Sequence, residues 1–179
     1  MNKIEVIKTE RDGLEVKEMI AHYAKTGWES IPEDDVQRLK WYGLFLRNPT
    51  PGFFMIRVRI PGGKTGSYQL RALAEIAGTY GNGVLDLTTR QQIQLRHIRI
   101  EDVPTVFAKM DEVGLTSLQT GMDNVRGVMT CPVAGLSPEE LSDATPIVRA
   151  INEEILGNPA YSNLPRKFNV AVTGCPDNC

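Results

Sequence analysis

The chain has 179 residues, a formal net charge of -2, and 41% hydrophobic and 23% charged residues, a composition that excludes disordered, collagen-like and mucin-like chains. No run of about eighteen apolar residues occurs and the opening MNKIEVIKTERDGLEVKE alternates charge with hydrophobicity, so neither a membrane span nor a secretory leader is expected and the cytoplasm is the expected setting. Three cysteines make no disulfide framework, two well-separated histidines make no zinc site, and no glycine-rich phosphate loop is present.

Residues 1–50 read as an N-terminal helical arm. Polar helical stretches cover Gly13–Tyr23 and, opened by Pro32, Glu33–Lys40; the aromatic, Pro-bounded passage WYGLFLRNPTPGFF follows. From Phe53 the period changes. FFMIRVRI alternates, with Phe54, Ile56, Val58 and Ile60 on one side and Met55, Arg57 and Arg59 on the other, the pattern of a half-buried strand. Arg57 and Arg59 are therefore expected together on its open face. Ser67 is the expected cap of a helix with Leu70, Leu73, Ala74, Ala77 and Tyr80 at core spacing, stopped by Gly81-Asn82-Gly83. VLDLTT and IQLRHIRI read as strands around a tight TTRQ link, Asp102 and Pro104 open a helix carrying Val103, Val106, Phe107 and Met110, and LTSLQT reads as a last strand. Over residues 51–120 the order is strand, helix, strand, strand, helix, strand. That is the split βαβ or ferredoxin-like arrangement, an α+β fold with both helices on one face of an antiparallel sheet.

From residue 121 the reading starts again, with the Gly-, Asn- and Pro-rich loop GMDNVRGVMTCPVAGLSP, a helix over Asp143–Leu156 and a strand RKFNVAVTG. In that strand Lys167, Asn169, Ala171 and Thr173 share one face opposite Phe168, Val170 and Val172. With one clear strand, the unit over residues 121–179 reads as the start of a domain, and the chain as a piece of a longer protein.

The chemistry on offer is cationic. Residues 51–100 hold 7 Lys+Arg against 2 Asp+Glu inside an acidic chain. A charge cluster is ordinarily a solvated face, but Arg57, Arg90, Arg96 and Arg126 on or beside strands and turns, with Lys167 and Asn169 on one strand face, point to a polyanionic ligand. RNA binding on a ferredoxin-like sheet is the rival reading; the ring-stacking pattern it requires is missing, so no nucleic-acid partner is expected. Cys175 and Cys179 have a spacing suggestive of iron–sulfur ligation, but two thiolates are not four. Cys131, in Thr-Cys-Pro, reads as a small packing residue or a third thiolate.

Four segments, KWYGLFLRNPTPGFFMIRVRIPGG, DLTTRQQIQLR, GLTSLQTGMDNVRGV and NLPRKFNVAVTGCPDNC, in order and spacing resemble the N-terminal half of the sirohaem-dependent nitrite and sulfite reductases, nearest to the ferredoxin-dependent, nitrite-reducing branch. The resemblance implies a ferredoxin-like half-domain over 51–120 followed by the start of a sirohaem/[4Fe-4S] domain over 121–179. It implies six-electron reduction of nitrite to ammonium, with sulfite as the alternative substrate, ferredoxin as electron donor, and dependence on the C-terminal half of the same enzyme. By motif match, Arg57, Arg126, Lys167 and Asn169 resemble the family's anion pocket above the haem iron, and Arg90 and Gln94, with Arg96 as a further candidate, resemble residues that bind the macrocycle carboxylates. The preference for nitrite rests on Asn169, where sulfite-reducing members carry a second lysine. The family's cluster cysteines come from the C-terminal half, so the resemblance assigns no metal ligand here and leaves Cys175 and Cys179 as candidates by spacing alone.

Overall fold

A computed structural model describes residues 2–176. The arm contains α1 (Lys3–Glu10), a 3-10 turn over Gly13–Val16, α2 (Lys17–Thr26), α3 (Glu33–Arg38) and a second 3-10 turn over Leu39–Tyr42. Asn2 caps α1, its Oδ1 accepting from Ile4 N at 3.2 Å. The sequence reading missed α1 because Ile7 is its one buried residue, too little to print a period. α2 and α3 are joined by a buried carboxylate: Asp35 accepts from the Tyr23 hydroxyl, from Arg11, and from Arg38 Nη1 at 2.8 Å. Burial alone would raise the Asp35 pKa, but these donors together hold it below the usual carboxylate value.

The main sheet runs in the order β1 (Leu44–Arg47), β2 (Thr50–Val58), β4 (Ile93–Arg99), β3 (Leu85–Leu87), all antiparallel. α4 (Ser67–Tyr80) and α5 (Val103–Asp111) pack Leu73, Ile76, Ala77, Val106 and Met110 against Phe54, Ile56, Val58, Ile93 and Leu95, while Val16 of the first 3-10 turn and Ile20 and Tyr23 of α2 join the same core. The mixed α+β order is as the sequence reads, and so are the core residues Phe54, Ile56 and Val58 of β2, whereas Met55, read on the open side, is buried as well. Three local readings need correction. Part of the Pro-bounded passage is β1, paired Leu44↔Ile56 to Leu46↔Phe54. Because β1 and the Gly43 carbonyl, which accepts from Arg57 N at 2.9 Å, occupy the outer edge of β2, LTSLQT finds no free edge and keeps only the Arg59↔Thr116 bridge. The N-cap of α4 is Gly66, not Ser67, and its N–H is held by Gln69 Oε1 at 2.9 Å.

The second unit is a βαβ turn: β5 (Val125–Thr130), α6 (Thr145–Ile155) and β6 (Phe168–Val172), with β5 and β6 parallel. β5 lies inside the segment read as a loop. Its register slips between Val125 and Val128, so Arg126 and Gly127 bulge opposite one position of β6, and this break in the two-residue period hid the strand. Val125, Val128, Val148 and Ile155 form its core, with Val170 and Val172 against them.

Arg59 joins the two units. The sequence places it beside Arg57 on an open face, whereas the structure buries it to 2% exposure. Its guanidinium donates to the carbonyls of Leu118, Gln119, Val125 and Arg126 at 3.2, 3.0, 3.0 and 3.3 Å and to Asn152 Oδ1 at 3.1 Å. All five acceptors are neutral, and burial pushes its pKa down to about 10. Alternation along β2 gives the side on which Arg59 stands; it carries no record that residues 118–126 cover that end of the sheet. The arm also spans both units: Trp41, fully buried, donates from Nε1 to Ser162 Oγ at 3.0 Å, and Lys8 Nζ donates to Leu164 O at 2.9 Å.

Candidate functional site

The face of the main sheet away from α4 and α5 carries a cross-strand row, Asp86, Gln94 and Arg57, set by the pairings Asp86↔Gln94 and Arg57↔Gln94. Arg57 lies 4.6 Å over the Phe45 ring and donates from Nη1 to Thr120 O at 3.0 Å, so its guanidinium is fixed from two sides. Arg96 stands further along β4 and is paired with Asp86. Arg126 comes to this face from the β5 bulge, held by two bonds, from Nε and Nη2, to Met122 O at 3.2 and 3.0 Å. Met122 itself has φ 51°, a left-handed backbone uncommon for methionine.

Between the two units lies a cavity of about 230 Å³, lined by Arg57, Arg90, Gln94 and Arg126 together with Thr88, Thr89, Gln92, Thr120 and Gly127. Among the described residues none of its lining side chains is acidic. Burial first, then the charges of Arg126, Arg90 and Arg96, push the Arg57 pKa down to about 10. Burial and Arg90 lower that of Arg126, with Asp123 opposing. Guanidiniums brought together out of water without a counter-ion are a site shaped for an anion, since a bound carboxylate or oxyanion relieves both the desolvation and the repulsion.

The Arg90 loop is built by its neighbours. Thr88 Oγ1 accepts from Arg90 N and Gln92 N at 3.3 and 3.0 Å and closes the turn. Gln92, 4% exposed, accepts from Ile60 N at 3.1 Å and donates to Arg90 O at 3.0 Å.

Of the sequence-predicted site residues, Arg57, Arg90, Gln94 and Arg126 share the cavity. Arg96 lies on the same sheet face but is engaged by Asp86. Lys167 and Asn169 are exposed and do not line the cavity. By strand alternation, with Val170 and Val172 turned to the α6 core, Asn169 stands on the opposite face, beside the β5 bulge that carries Arg126 and Gly127. Thr88, Thr89, Gln92, Thr120 and Gly127 escaped the sequence reading; the run Thr-Thr-Arg-Gln-Gln around a chosen arginine was the available signal. Cys175 follows β6 at intermediate burial, Cys131 is buried, and Cys179 lies outside the described residues. Among the described residues no group of three or more His, Cys, Asp or Glu side chains is placed to hold a metal ion, and no helix is long and apolar enough to cross a membrane.

Fold and site together define an α+β protein with a cationic cleft between a ferredoxin-like unit and a βαβ unit. The chain belongs to the nitrite and sulfite reductase family: residues 47–113 match the nitrite/sulfite reductase ferredoxin-like half domain and residues 121–179 the nitrite and sulphite reductase 4Fe-4S domain. Similar proteins include a ferredoxin–nitrite reductase of Leptolyngbya laminosa, 48% identical over 99% of this chain and 36% of its own length. The chloroplastic ferredoxin–nitrite reductase of Arabidopsis thaliana is 41% identical over 99% of this chain and 33% of its own length. The solved structure of the Mycobacterium tuberculosis NirA protein superposes with a TM-score of 0.90 at 32% identity, covering 97% of this chain and 35% of that one. The chain thus spans about a third of the length of the relatives it matches.

Proposed function

We propose that the chain is the N-terminal part of a sirohaem- and iron–sulfur-dependent oxidoreductase that reduces nitrite to ammonium with six electrons from ferredoxin. The convergence of Arg57, Arg90 and Arg126 on one cavity without an acidic lining residue, among the described residues, carries this reading. The donor set fits sirohaem, a polycarboxylate: the cavity has room for its carboxylate-bearing edge, not for a whole macrocycle. Arg90 offers a fork and Gln94 an amide to that edge. When bound, sirohaem supplies the iron at which the substrate is held and reduced. The similarity to the Leptolyngbya and Arabidopsis ferredoxin–nitrite reductases supports nitrite as substrate and ferredoxin as donor, and a cytoplasmic setting belongs to the same proposal.

Arg57 and Arg126 are the cations that attract and orient the anion. Thr120 O and Met122 O each engage part of a guanidinium, leaving other N–H groups for a ligand. Lys167 Nζ, at the solvent-facing start of β6, can hold a proton for delivery to a developing N–H or O–H, and Asn169, neutral beside it, keeps the positive charge suited to a monoanion. The described residues do not form a site for the [4Fe-4S] group.

The test is made on the complete protein. Purified with sirohaem available, it is expected to show the visible absorbance of sirohaem and to oxidise reduced ferredoxin on addition of nitrite, forming one ammonium per nitrite. Protein that binds sirohaem yet oxidises ferredoxin with sulfite in preference to nitrite overturns the substrate, and protein that takes up no sirohaem overturns the reading as a whole.

A further inference from the structure

Resting on the reading that Arg90 holds a carboxylate of the macrocycle, we infer that Gln91 is a positioning residue that fixes Arg90 across the cleft from Arg126. Gln91 is neither acidic nor basic and does not line the arginine cavity. Its side-chain amide closes two bonds with one residue of β5: Nε2 donates to Thr130 O at 2.7 Å and Oε1 accepts from Thr130 N at 3.0 Å. A side chain that pairs with both backbone groups of one residue imitates a further rung of a β-ladder, so β5 is extended onto the loop that carries Arg90.

The backbone is shaped for this. Gln91 has φ 56°, and its N–H donates to Thr88 O at 3.0 Å, so the turn aims the side chain away from Arg90 and toward β5. Gly63, at φ 69°, leaves room for it: a Cβ there would come within 3.0 Å of both Cβ and Cδ of Gln91. The neighbouring Gln92 pins the same loop to Ile60, two residues past the end of β2. Two consecutive glutamines thus fasten the Arg90 turn to both units, Gln92 to the ferredoxin-like sheet and Gln91 to the strand that carries Arg126.

The chemistry of the cleft explains why a clamp is needed and why it is an amide. Arg90 and Arg126 line one cavity and are like charges; burial first and then the charge of Arg90 lower the Arg126 pKa, so the Arg90 turn needs a restraint that holds it toward β5. A charged clamp would not serve. A lysine could not accept from Thr130 N, and a glutamate would turn a carboxylate oxygen against Thr130 O and neutralise the cleft.

The experiment measures how fast sirohaem leaves the loaded, complete protein for excess serum albumin, followed by its visible absorbance, together with hydrogen exchange at the Thr130 amide in the cofactor-free protein. Gln91→Met keeps the length of the side chain and removes both bonds; Gln91→Glu is the second variant should Gln91→Met fail to fold. Either is expected to speed sirohaem loss about tenfold, and Gln91→Met, which removes the acceptor of the Thr130 N–H, to raise exchange at Thr130. Because Gln91 acts through Arg90, the same substitution in an Arg90→Ala background is expected to add nothing to the loss rate, which a general weakening of the fold would not reproduce. Wild-type loss in both Gln91 variants, or effects that multiply with Arg90→Ala, overturn the inference alone. Wild-type loss in Arg90→Ala overturns the reading of Arg90 on which the inference stands.

Discussion

Gly127 leaves no room for a side chain because Gln92 fills the space: a Cβ at Gly127 would lie 2.4 Å from Gln92 Nε2. The contact is between the bulge of one unit and the hydrogen-bonded floor of the other, so it sets how closely β5 approaches the Arg90 loop. Gly127→Ala is expected to cost about 1–3 kcal/mol, as overpacking does in a filled interior, read as a lowered midpoint of thermal or denaturant unfolding. Gln92→Ala, destabilising by itself, should remove most of that added cost in the double variant. Additive losses would show that Gly127 is free to accept a methyl group.

Arg59 gives a second prediction. Arg59→Ala leaves the carbonyls of Leu118, Gln119, Val125 and Arg126 without this donor and is expected to destabilise by about 3–5 kcal/mol. Its folded pKa lies below its ordinary value, at about 10. The unfavourable part of burying its charge is therefore fully present at every pH below about 10 and eases only as pH rises from there toward the ordinary arginine value. Between pH 6 and 9 the loss in unfolding free energy on Arg59→Ala should not change with pH; a loss that varies across that range would contradict a permanently charged Arg59.

Asp35 behaves in the opposite sense. With its folded pKa below the ordinary value of 3.8, its stabilisation is present above that value and is lost as pH falls through the folded one. Asp35→Asn is expected to cost about 3 kcal/mol at pH 7, where Arg38 would remain buried without its carboxylate, and clearly less at pH 2. Denaturant midpoints at the two pH values measure it. An equal loss at both would mean that the carboxylate charge is not what Tyr23, Arg11 and Arg38 recognise.

Substrate choice tests the far side of the cleft. Asn169→Lys in the complete protein adds a positive charge beside the β5 bulge, so kcat/KM for sulfite, a dianion, should rise several-fold relative to nitrite, muted by repulsion from Lys167. Arg126→Ala should lower kcat/KM for both anions about tenfold or more. An unchanged ratio in Asn169→Lys with sirohaem fully bound would remove Asn169 from the anion's surroundings.

The parts legible in the sequence are those in which one face of an element does one thing. Phe54, Ile56 and Val58 alternate because α4 and α5 cover a single side of β2, and Arg57 and Gln94 are found on the other side for the same reason. Legibility fails where two units meet. The bulge at Arg126 and Gly127 removes the two-residue period of β5, and Arg59 is recognisable as buried only once residues 118–126 are laid over it. Gln91 and Gln92 bond backbone groups 39 and 32 residues away in the chain, a relation that no local pattern encodes. Of the four cavity residues among those predicted, Arg57, Arg90 and Arg126 came from cations on strands and turns and Gln94 from the resemblance; what stayed hidden was the neutral framework that holds them.

The reach of the arm across both units has a consequence for synthesis. Lys8 bonds to Leu164 across a separation of 156 residues, Trp41 to Ser162 across 121, and Asp12 to Asn163 across 151. Gly13, where a Cβ would stand 2.1 Å from the Trp41 ring, seats that ring within the arm itself. The arm therefore makes several of its bonds with residues that are synthesised 121 to 156 positions later. Until those arrive, the Trp41 indole N–H waits unmatched and Lys8 keeps only its ion pair with Glu5, and closing so long a loop is a slow, late event. A nascent chain stopped before Ser162 would hold the ferredoxin-like sheet and lack the strap that ties it to β5, the interval in which a chaperone would find most to cover.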